Sequence, residues 1–392
     1  MLGVIMKFDE LNINKIIIEK IKEIGFKEMT SIQEKCLPEI IQGRDVVGQA
    51  ETGSGKTLAF CLPILDKIKK NKKIQALVIT PTRELCIQVT DVFYDYGYNL
   101  GVKTTSIYGG VGIEPQIEKI STSDIVVSTP GRLLDHIRRG TINLGDIDFL
   151  VIDEIDKMLD MGFIDDVEKI IKKTPKSRQT LMFSATILNG IDKLMHKHLN
   201  NPLIITTKNY VDKSKLKQEY YDIYNQKNKF SLLLHLLKNN KSGLSIVFCG
   251  TRSEAEAVSI NLKKHKINAS AIHGGMTQKK RLQSLNSLKN EKTDVLVATD
   301  VAARGLDIQN VTHIYHYDVP KTSIDYIHRI GRTARAGATG KTITLLTGPD
   351  HDNFRRVQSN DEIEIKKVNY PDFEKVSFHR RKKYGKKPNR YY

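Results

Sequence analysis

Short apolar runs alternate with amphipathic, helix-like stretches along most of the chain. In order, these runs are Ala76–Thr80, Ile125–Thr129, Phe149–Ile152, Thr180–Phe183, Ser245–Cys249, Ala269–Ile272, Val295–Ala298, Thr312–Tyr317 and Thr342–Leu346. Apolar runs separated by helical patterns are typical of strands in a parallel sheet that helices cover. The pattern predicts an α/β protein, and its recurrence in the second half predicts two copies of one architecture.

A polar, lysine-rich segment without periodicity separates the two halves. It covers residues 206–217, and such a composition is typical of a linker. A chain of 392 residues is long enough for two domains that each have a core. We therefore expect a first domain at residues 1–207, a linker at 208–218, a second domain at 219–370 and a disordered basic tail at 371–392.

The most specific chemical signal lies where a predicted strand ends and a helix begins. Residues Ala50 to Thr57 read Ala-Glu-Thr-Gly-Ser-Gly-Lys-Thr, after a strand-like segment at 45–48. A glycine-rich turn at such a junction directs backbone N–H groups into one concavity, and the positive helix end favours a polyphosphate there. The Lys56 ammonium would reach the outer phosphates, and the Thr57 hydroxyl would coordinate Mg²⁺. Ala50 replaces the usual first glycine, and its small side chain still permits the turn.

A second Gly-Lys-Thr triplet provides a comparison within the same chain. Gly340-Lys341-Thr342 leads into the β-rich run at 343–346, and no helix follows it. That order places no helix N-terminus beside a phosphate, so we expect the second copy to be structural.

Acidic side chains follow one of the predicted strands of the first half. Asp153, directly after Phe149–Ile152, is placed to hold Mg²⁺ through water, and Glu154 is placed to orient or deprotonate an attacking water. An acid at a strand end is also typical of a helix N-cap, and this alternative stays open for Asp156. In open parallel sheets ligands bind beyond the carboxyl ends of the strands, where these residues lie.

Basic side chains also follow predicted strands. Pro81–Leu85 and Thr129–Arg132 each contain an arginine, and the second adds a capping threonine and a proline at the first helical position. Helix capping explains either segment alone, whereas two on one sheet edge favour a track for a nucleic-acid backbone. In the second half, Arg329, Arg332 and Arg335 lie in one glycine-punctuated segment without an obvious acidic partner. They are candidate arginine fingers for a γ-phosphate, and a surface salt-bridge cluster is the alternative.

The net charge of the chain is strongly positive. A formal charge of +17 and a pI near 9.4 favour a polyanionic partner. Seven Lys and Arg residues and no acid lie between Arg380 and Arg390, interleaved with tyrosine. Tyrosine rings can stack on unpaired bases while the cations follow phosphates. A disordered, solubilising tail is the alternative explanation for this segment.

The cysteines and the lengths of the apolar runs indicate the cellular compartment of the protein. Cys36, Cys61, Cys86 and Cys249 are scattered without paired spacing, which argues against a disulfide framework or a zinc site and for a reducing cytosol. We expect all four in apolar cores. No apolar run approaches the ~20 residues of a membrane span, and the N-terminal apolar stretch is too short for a signal peptide. The sequence thus predicts a cytoplasmic protein without a membrane partner.

Taken together, these segments resemble the DEAD-box ATP-dependent RNA helicases, from about Phe8 to the 340s. The matching blocks follow the family's order: Gly25-Phe26 to Gln33, the phosphate loop at 50–57, Pro81–Leu85, Gly109-Gly110, Thr129–Arg132, Asp153–Asp156, Ser184-Ala185-Thr186, His273–Arg281, Ala298–Ile308 and His328–Arg335. The resemblance implies two RecA-like domains joined by a short linker, and an RNA-dependent ATPase that uses ATP and Mg²⁺. It also implies that single-stranded RNA binds across both domains, and that ATP-driven closure locally unwinds or remodels RNA duplexes or ribonucleoproteins.

The resemblance further implies a role for individual residues. In the Q motif, at about residues 6–34, Phe26 would pack on adenine, Gln33 would read its edge and so select ATP over GTP, and Phe8 matches the upstream aromatic. The other implied ATP contacts are Ala50, Glu51, Thr52, Gly53, Ser54, Gly55, Lys56, Thr57 and, at the ribose, Asp307. The implied catalytic residues are Lys56, Asp153, Glu154, Arg332 and Arg335, with Thr57 and Asp153 holding Mg²⁺ partly through water. The implied coupling residues are Asp156, Ser184, Thr186 and His328, and the implied RNA-backbone contacts are Arg83, Gly110, Thr129, Arg132, Arg281 and Thr299.

The sequence departs from the family's pattern in three places. Ile155 stands where the acidic motif usually has alanine, which should affect local packing and not the reaction. Met29 and Ser31 replace the prolines usual in the Q motif, which loosens that loop. After about residue 370 the sequence leaves no room for an appended RNA-binding domain, so we expect RNA binding with little sequence specificity.

Two other functional classes stay open from the sequence. One is a nucleotide-gated RNA clamp or scaffold with little turnover, and the presence of Glu154, Arg332 and Arg335 counts against it. The other is a DNA-directed translocase of the same superfamily, which a comparison of stimulation by RNA and by DNA would separate. The expected partners are RNA and components of ribonucleoproteins or of ribosome assembly.

Overall fold

The computed structural model describes residues 7–50, 53–69, 73–186, 189–207, 215–240, 243–290, 292–303, 308, 310–334, 338–361, 363–369 and 371–379. The chain divides near residue 210 into two compact units. Within the described ranges, each unit contains one seven-stranded sheet whose neighbouring strands all run parallel. The predicted architecture, two copies of a parallel sheet flanked by helices, is confirmed.

The first unit begins with a short 3₁₀ turn at Phe8–Glu10 and has a second one at Tyr98–Leu100. Its helices and strands are α1 (Lys15–Ile24), α2 (Ser31–Ile41), β1 (Val46–Gln49), α3 (Lys56–Lys67), β2 (Ala76–Ile79), α4 (Arg83–Gly97), β3 (Thr104–Ile107), α5 (Glu114–Ile120), β4 (Ile125–Ser128), α6 (Pro130–Arg139), β5 (Phe149–Ile152), α7 (Ile155–Asp160), α8 (Ile164–Ile171), β6 (Gln179–Ser184), α9 (Asn189–His198) and β7 (Leu203–Thr206). The strands lie in the order β3-β4-β2-β5-β6-β1-β7. The four apolar runs predicted as strands in this half correspond to β2, β4, β5 and β6, and the strand-like segment at 45–48 corresponds to β1.

The sheet of the first unit is apolar on both faces, because successive residues of a strand point to opposite sides. Ala76 and Val78 of β2 lie in one core, and Leu77 and Ile79 lie in the other. Helices α1 to α4 supply side chains to the first core, and α6 to α9 supply side chains to the second. The segments that follow the strands therefore emerge at one edge between two helical layers, which is where ligands bind in such sheets.

The second unit repeats this plan, with short 3₁₀ turns at Gln226–Asn228 and Gly348–Asp350. Its helices and strands are β8 (Leu216–Asp222), α10 (Lys229–Asn239), β9 (Leu244–Phe248), α11 (Arg252–Lys264), β10 (Ala269–Ile272), α12 (Gln278–Lys289), β11 (Val295–Ala298), α13 (Asp300–Ala303), β12 (Val311–His316), α14 (Ser323–Ile330), β13 (Gly340–Leu346), α15 (His351–Gln358) and β14 (Lys366–Lys367). The strand order is β10-β11-β9-β12-β13-β8-β14. The five strands predicted in this half correspond to β9 to β13.

The structure corrects the predicted linker at its C-terminal end. Residues 216–218 belong to β8, which pairs in parallel with β13 from Leu216 opposite Gly340 to Asp222 opposite Leu346. Lys217, one of the lysines that suggest a linker, pairs with a buried acid instead: its ammonium lies 2.5 Å from the Glu219 carboxylate, and that of Lys341 on β13 lies 2.8 Å from it. The linker prediction is therefore wrong for residues 216–218, and residues 208–214 lie outside the described part of the chain.

The structure also corrects the predicted boundary of the tail. Phe373, Val376 and Phe378 pack against the core of the second unit. The Val376 N–H donates to Ser231 Oγ (3.0 Å), and the Asn261 side chain exchanges two hydrogen bonds with the backbone of His379 (3.0 and 3.2 Å). Residues 371–379 thus belong to the second unit and not to a disordered tail. Residues 380–392 lie outside the described residues.

Two further fold-level predictions are confirmed. All four cysteines are buried, and they lie in the cores: Cys36, Cys61 and Cys86 in the first unit, and Cys249 in the second. The triplet Gly340-Lys341-Thr342 opens β13 and is not followed by a helix N-terminus, as expected of a structural segment. Among the described residues, no helix combines the length and the apolar character needed to cross a membrane.

Candidate active site and nucleic-acid interface

The phosphate loop leads from β1 into α3, as the sequence predicts. Gly53 and Gly55 have φ values of +86° and +93°, in the left-handed region that glycine adopts without strain. Lys56 follows as the first residue of α3, so the loop ends at a helix N-terminus. The Lys56 side chain is 6% exposed, and its ammonium donates to the carbonyl oxygen of Ala50 (2.6 Å). The lysine therefore folds back over the loop that it follows.

The side-chain amide of Gln33 is tied to the phosphate loop. Its Oε1 accepts the N–H of Thr30 (2.9 Å) in a capping box at the start of α2, and its Nε2 donates to the carbonyl of Gly55 (3.1 Å). A Cβ at Gly55 would lie 2.5 Å from Gln33 Nε2, so this contact requires glycine. Of the two aromatic residues expected near adenine, Phe26 is 47% exposed, whereas Phe8 is 4% exposed and packs in the first core. Phe26, not Phe8, therefore offers an open ring.

Asp153 and Glu154 follow β5 and lie in a buried charged cluster with Lys56 and Lys157. Both carboxylates are 3% exposed. Glu154 precedes α7 with a φ of +53°, a backbone conformation that costs about 1–3 kcal/mol for a residue with a side chain and is often found at functional sites. Lys157 Nζ lies 2.5 Å from Glu154 Oε1. Burial and the Glu154 carboxylate raise the pKa of Asp153, and the positive charges of Lys56 and Lys157 oppose that rise.

Asp156 connects the acidic motif to the segment that follows β6. Its Oδ2 accepts the backbone N–H groups of Ala185 (3.0 Å) and Thr186 (3.1 Å), and the Thr186 hydroxyl lies at 3.4 Å. The Ser184 hydroxyl donates to the Thr186 carbonyl (2.6 Å), within the same segment. Glu154, and not Asp156, is the N-cap residue of α7. The Asp156 carboxylate instead holds the segment that follows β6. Ile155 is fully buried in the second core of the first unit.

Residues expected to contact RNA meet at the ends of β2, β3 and β4. Arg83 begins α4 directly after Thr82, whose hydroxyl caps that helix. The guanidinium of Arg83 packs on Gly110, where a Cβ would lie 2.1 Å from Arg83 Nη1. Arg132 of α6 donates from Nη2 to the carbonyl of Val111 (2.9 Å). Its Nη1 is buried and has no hydrogen-bond partner among the residues that the structure describes.

Thr129 lies at the same edge, at the start of α6. Its N–H donates to the carbonyl of Ile107 (3.1 Å), and Pro130 follows as the first helical residue. Its hydroxyl makes no capping bond within the described part of the chain. The structure thus brings together four of the six residues that we expect to bind RNA.

The remaining candidates lie in the second unit. Thr299 follows β11, and its N–H donates to the carbonyl of Ile272 (3.3 Å). Arg281 and His328 are half-buried, and Arg332 is buried. The expectation that the arginine-rich segment lacks an acidic partner is wrong for Arg329. Its guanidinium donates to both carboxylate oxygens of Asp300 (2.6 and 2.8 Å).

Four expected site residues lie outside the described residues. They are Glu51, Thr52, Asp307 and Arg335. Their roles stay predictions from the resemblance.

Two features of the site are not predicted from the sequence. One is the ion pair of Lys157 with Glu154, for which the spacing of three residues on one helix is the available signal. The other is Arg252, which begins α11 after the capping residue Thr251 and packs against Gly274 and Gly275. It repeats the arrangement of Arg83. The signal is the Gly-Thr-Arg that follows an apolar run, as Pro-Thr-Arg does in the first unit.

Comparisons with known proteins cover nearly the whole chain. Residues 30–194 match the DEAD/DEAH box helicase model, and residues 228–337 match the helicase conserved C-terminal domain. The chain is 42% identical to the ATP-dependent RNA helicase CshA of Listeria monocytogenes, over 94% of this chain and 72% of that protein. It is 40% identical to the DEAD-box ATP-dependent RNA helicase CshA of Geobacillus kaustophilus, over 94% of this chain and 79% of that protein.

A similar solved structure is that of S. cerevisiae Dbp5 bound to RNA and ADP BeF3. It covers 93% of this chain and 95% of its own, with a TM-score of 0.83 and 29% sequence identity. The first family model spans the phosphate loop and the acidic motif, and the second spans the arginine-rich segment. The chain, with its two RecA-like units, therefore belongs to the DEAD-box ATP-dependent RNA helicases.

Proposed function

We propose that the first unit binds ATP through Phe26, Gln33 and the loop at 50–57, and that Lys56, Asp153 and Glu154 carry out hydrolysis. The observation that carries this proposal is the convergence of a glycine-rich loop at a helix N-terminus with two buried carboxylates at one sheet edge. The Lys56 ammonium donates to a backbone carbonyl, an acceptor that a phosphate oxygen would replace. Glu154 then orients or deprotonates the attacking water.

Asp153 and Thr57 fit a Mg²⁺ ion that accompanies the nucleotide. Asp153 Oδ1 is buried and lacks a hydrogen-bond partner among the described residues, and carboxylate oxygen is a ligand that Mg²⁺ prefers. Thr57 lies in the first turn of α3, directly after Lys56. An Mg²⁺ ion bound with a nucleotide commonly takes one or two protein ligands, together with phosphate oxygens and water. When bound, Mg²⁺ neutralises charge that develops on the phosphates.

We assign the RNA backbone to Arg83, Gly110, Thr129 and Arg132 of the first unit and to Arg281 and Thr299 of the second. In support, Arg132 Nη1 is a buried donor without a partner in the described ranges, and Thr129 leads into the N-terminus of α6. Guanidinium groups and helix N-termini bind phosphates without reading bases. The net charge of +17 favours the same polyanion. Little sequence specificity follows.

Hydrolysis and RNA remodelling are coupled, in this proposal, through Asp156, Ser184, Thr186 and His328. The hydrogen bonds from Ala185 and Thr186 to Asp156 give a direct route from the acidic motif to the segment after β6. Arg332 and Arg335 act as arginine fingers on the phosphate once ATP and RNA are both bound, and Asp307 contacts the ribose. Finger arginines contribute about 10³–10⁵ in rate in enzymes of this chemistry.

We place the boundaries of the two proposed functional domains according to the described structure. The ATP-binding domain extends to residue 207, and the C-terminal helicase domain extends from 216 to 379. We further propose a cytoplasmic protein, since four free, buried thiols suit a reducing compartment. Components of ribonucleoproteins or of ribosome assembly are the proposed partners beyond RNA itself.

The function is tested by comparing RNA and DNA as activators. We expect single-stranded RNA to stimulate ATP hydrolysis, DNA of the same sequence and length to stimulate it far less, and ATP to support displacement of a short RNA strand. Equal stimulation by DNA would indicate a DNA-directed translocase. Nucleotide-dependent RNA binding without stimulated turnover would indicate a clamp.

A further inference from the structure

His316 lies at the centre of a buried hydrogen-bond chain in the second unit. It is located in β12 and is fully buried. Its Nε2 lies 2.9 Å from Thr342 Oγ1 on the neighbouring strand β13, and its Nδ1 lies 3.2 Å from Arg329 Nη1 on α14. Its ring stacks with those of Phe248 and Tyr326, at centroid distances of 6.2 and 4.8 Å. The imidazole therefore bridges a strand and a helix from inside the fold.

The chemistry of the two partners fixes the tautomer of this ring. A guanidinium group can only donate, so the His316 Nδ1 must accept from Arg329. The hydrogen of the neutral ring then lies on Nε2 and is donated to the Thr342 hydroxyl. Burial, and after it the positive charge of Arg329, lower the pKa of His316 well below its ordinary value. The ring is therefore a neutral, oriented acceptor.

Arg329 is held on its other sides by the turns that follow β11 and β12, the two strands on either side of β9. Its Nε and Nη2 donate to the two oxygens of Asp300, and its Nη1 also donates to the carbonyl of Asp318 (2.6 Å). Asp300 begins α13 directly after Thr299, while Arg329 and His328 share α14. Arg329 thereby fixes the Thr299 turn relative to α14.

We propose that His316 is a positioning residue for the helicase reaction, because its Nδ1 lone pair holds Arg329 in the orientation that aligns the Thr299–Asp300 turn with α14. The inference rests on the proposed roles of Thr299 in RNA binding and of α14 and the arginines after it in coupling and hydrolysis. His316 itself contacts neither RNA nor nucleotide and acts through Arg329. Without its acceptor, a buried guanidinium N–H loses its partner, and the arginine turns away from Asp300 to find another. RNA-dependent activation is then lost, while nucleotide binding by the first unit is kept.

The test compares His316→Leu with His316→Asn in the full chain. Leucine removes both hydrogen bonds, whereas the asparagine side chain offers an oxygen to Arg329 and an N–H to Thr342. We expect the leucine variant to lower the RNA-stimulated kcat about tenfold or more, the scale of one hydrogen bond to a charged group, and to raise the RNA concentration for half-maximal activity. Binding of a fluorescent ATP analogue without RNA should not change. The asparagine variant should recover most of the activity.

His313→Leu is the matched control on the same strand. The Nδ1 of His313 meets the Thr312 hydroxyl and not an arginine, so this variant should retain wild-type kinetics. A folded His316→Leu variant with wild-type kcat and RNA half-saturation would overturn the proposal, and so would an asparagine variant as impaired as the leucine variant. If the leucine variant does not fold, Arg329→Lys takes its place in the test. The lysine keeps the positive charge but cannot bond His316, Asp300 and Asp318 at the same time. A wild-type kcat in that variant would also overturn the proposal.

A second readout does not depend on catalysis. Long-range ¹H–¹⁵N spectra of the histidine-labelled chain should show one ring fixed as the Nε2–H tautomer, without titration between about pH 6 and 8, and His316→Asn should remove its signals. If the His316 ring titrates in this range, or carries its hydrogen on Nδ1, the result contradicts the hydrogen-bond geometry described above. If RNA does not stimulate ATP hydrolysis by the unmutated protein, the proposed function is refuted. The spectra would still show whether His316 has the expected tautomer.

Discussion

The ammonium of Lys157 lies 2.5 Å from the carboxylate of Glu154, and both side chains are buried at the start of α7. The residue proposed to activate water thus has a counter-ion of its own, one helical turn away, in a cluster that also contains Asp153 and Lys56. Removal of one member of a buried ion pair is costly, because the remaining charge stays in surroundings of low dielectric constant. The pair therefore links the stability of the first unit to its catalytic residue.

Lys157→Met should destabilise the first unit through Glu154. The methionine keeps an unbranched apolar stem and removes the charge, so we expect the free energy of unfolding to fall by about 3–5 kcal/mol in urea titrations. In the Glu154→Gln background the same change should cost clearly less, because a neutral amide needs no counter-ion. Equal losses in both backgrounds would show that Lys157 acts by packing alone.

Glu154→Gln should abolish RNA-stimulated ATP hydrolysis. The amide cannot take a proton from water, so we expect kcat to fall by about 10²–10⁴ while ATP and RNA still bind with similar affinity. The matched control is Glu168→Gln on α8, where the carboxylate pairs with Lys172 and Lys197 and has no proposed role. Turnover within a few-fold of wild type in Glu154→Gln would exclude Glu154 as the residue that activates water.

Gln33 should govern both the choice of nucleotide and the shape of the phosphate loop. We expect the unmutated protein to prefer ATP strongly over GTP, and Gln33→Ala to weaken that preference. Because Gln33 also bonds Thr30 and Gly55, the alanine variant should bind both nucleotides less tightly. Gln33→Glu separates the two effects, since it keeps the acceptor for Thr30 and loses the donor to Gly55. Equal kcat/KM values for ATP and GTP in the unmutated protein would contradict the adenine-reading role.

The sequence predicts the structure best where burial on both faces of a strand requires apolar residues. Strands β2, β4 and β5 lie inside a parallel sheet with cores on both faces, so they read as continuous apolar runs and can be predicted. Strand β8 is missed because Lys217, Glu219 and Asp222 interrupt it, so that it does not read as a continuous apolar run. Its acid Glu219 is paired with lysines from its own strand and from β13, an arrangement visible only once the strands are aligned.

The candidate site likewise contains residues that the sequence predicts and contacts that it does not predict. Spacing relative to strand ends identifies Lys56, Asp153 and Glu154, because chemistry at that sheet edge requires those residue types. The Gln33–Gly55 contact and the Glu154–Lys157 pair cannot be predicted in this way, since they depend on side-chain conformations set by tertiary packing. Phe373, Val376 and Phe378 are missed for another reason: the segment that carries them has no helix or strand, so its apolar residues follow no regular period.

Residues 371–379 should stabilise the second unit, and residues 380–392 should not. Deleting 371–392 removes three apolar side chains that pack against the core and the backbone partners of Ser231 and Asn261. We expect a loss of about 1–3 kcal/mol, measured by chemical unfolding. Deletion of 380–392 alone is the control and should leave the unfolding curve unchanged. If both deletions have the same effect, residues 371–379 do not stabilise the fold.

The segment 380–392 should instead add RNA affinity that is independent of sequence. Each of its seven Lys and Arg residues that neutralises a phosphate contributes about 0.7 to the slope of log affinity against log salt on single strands. Deleting 380–392 should therefore flatten the salt dependence of RNA binding and raise the RNA concentration for half-maximal ATPase. The maximal rate at saturating RNA should hardly change, because Glu154 and the arginines of the second unit remain. An unchanged salt slope would identify the segment as a solubilising end without a role in RNA binding.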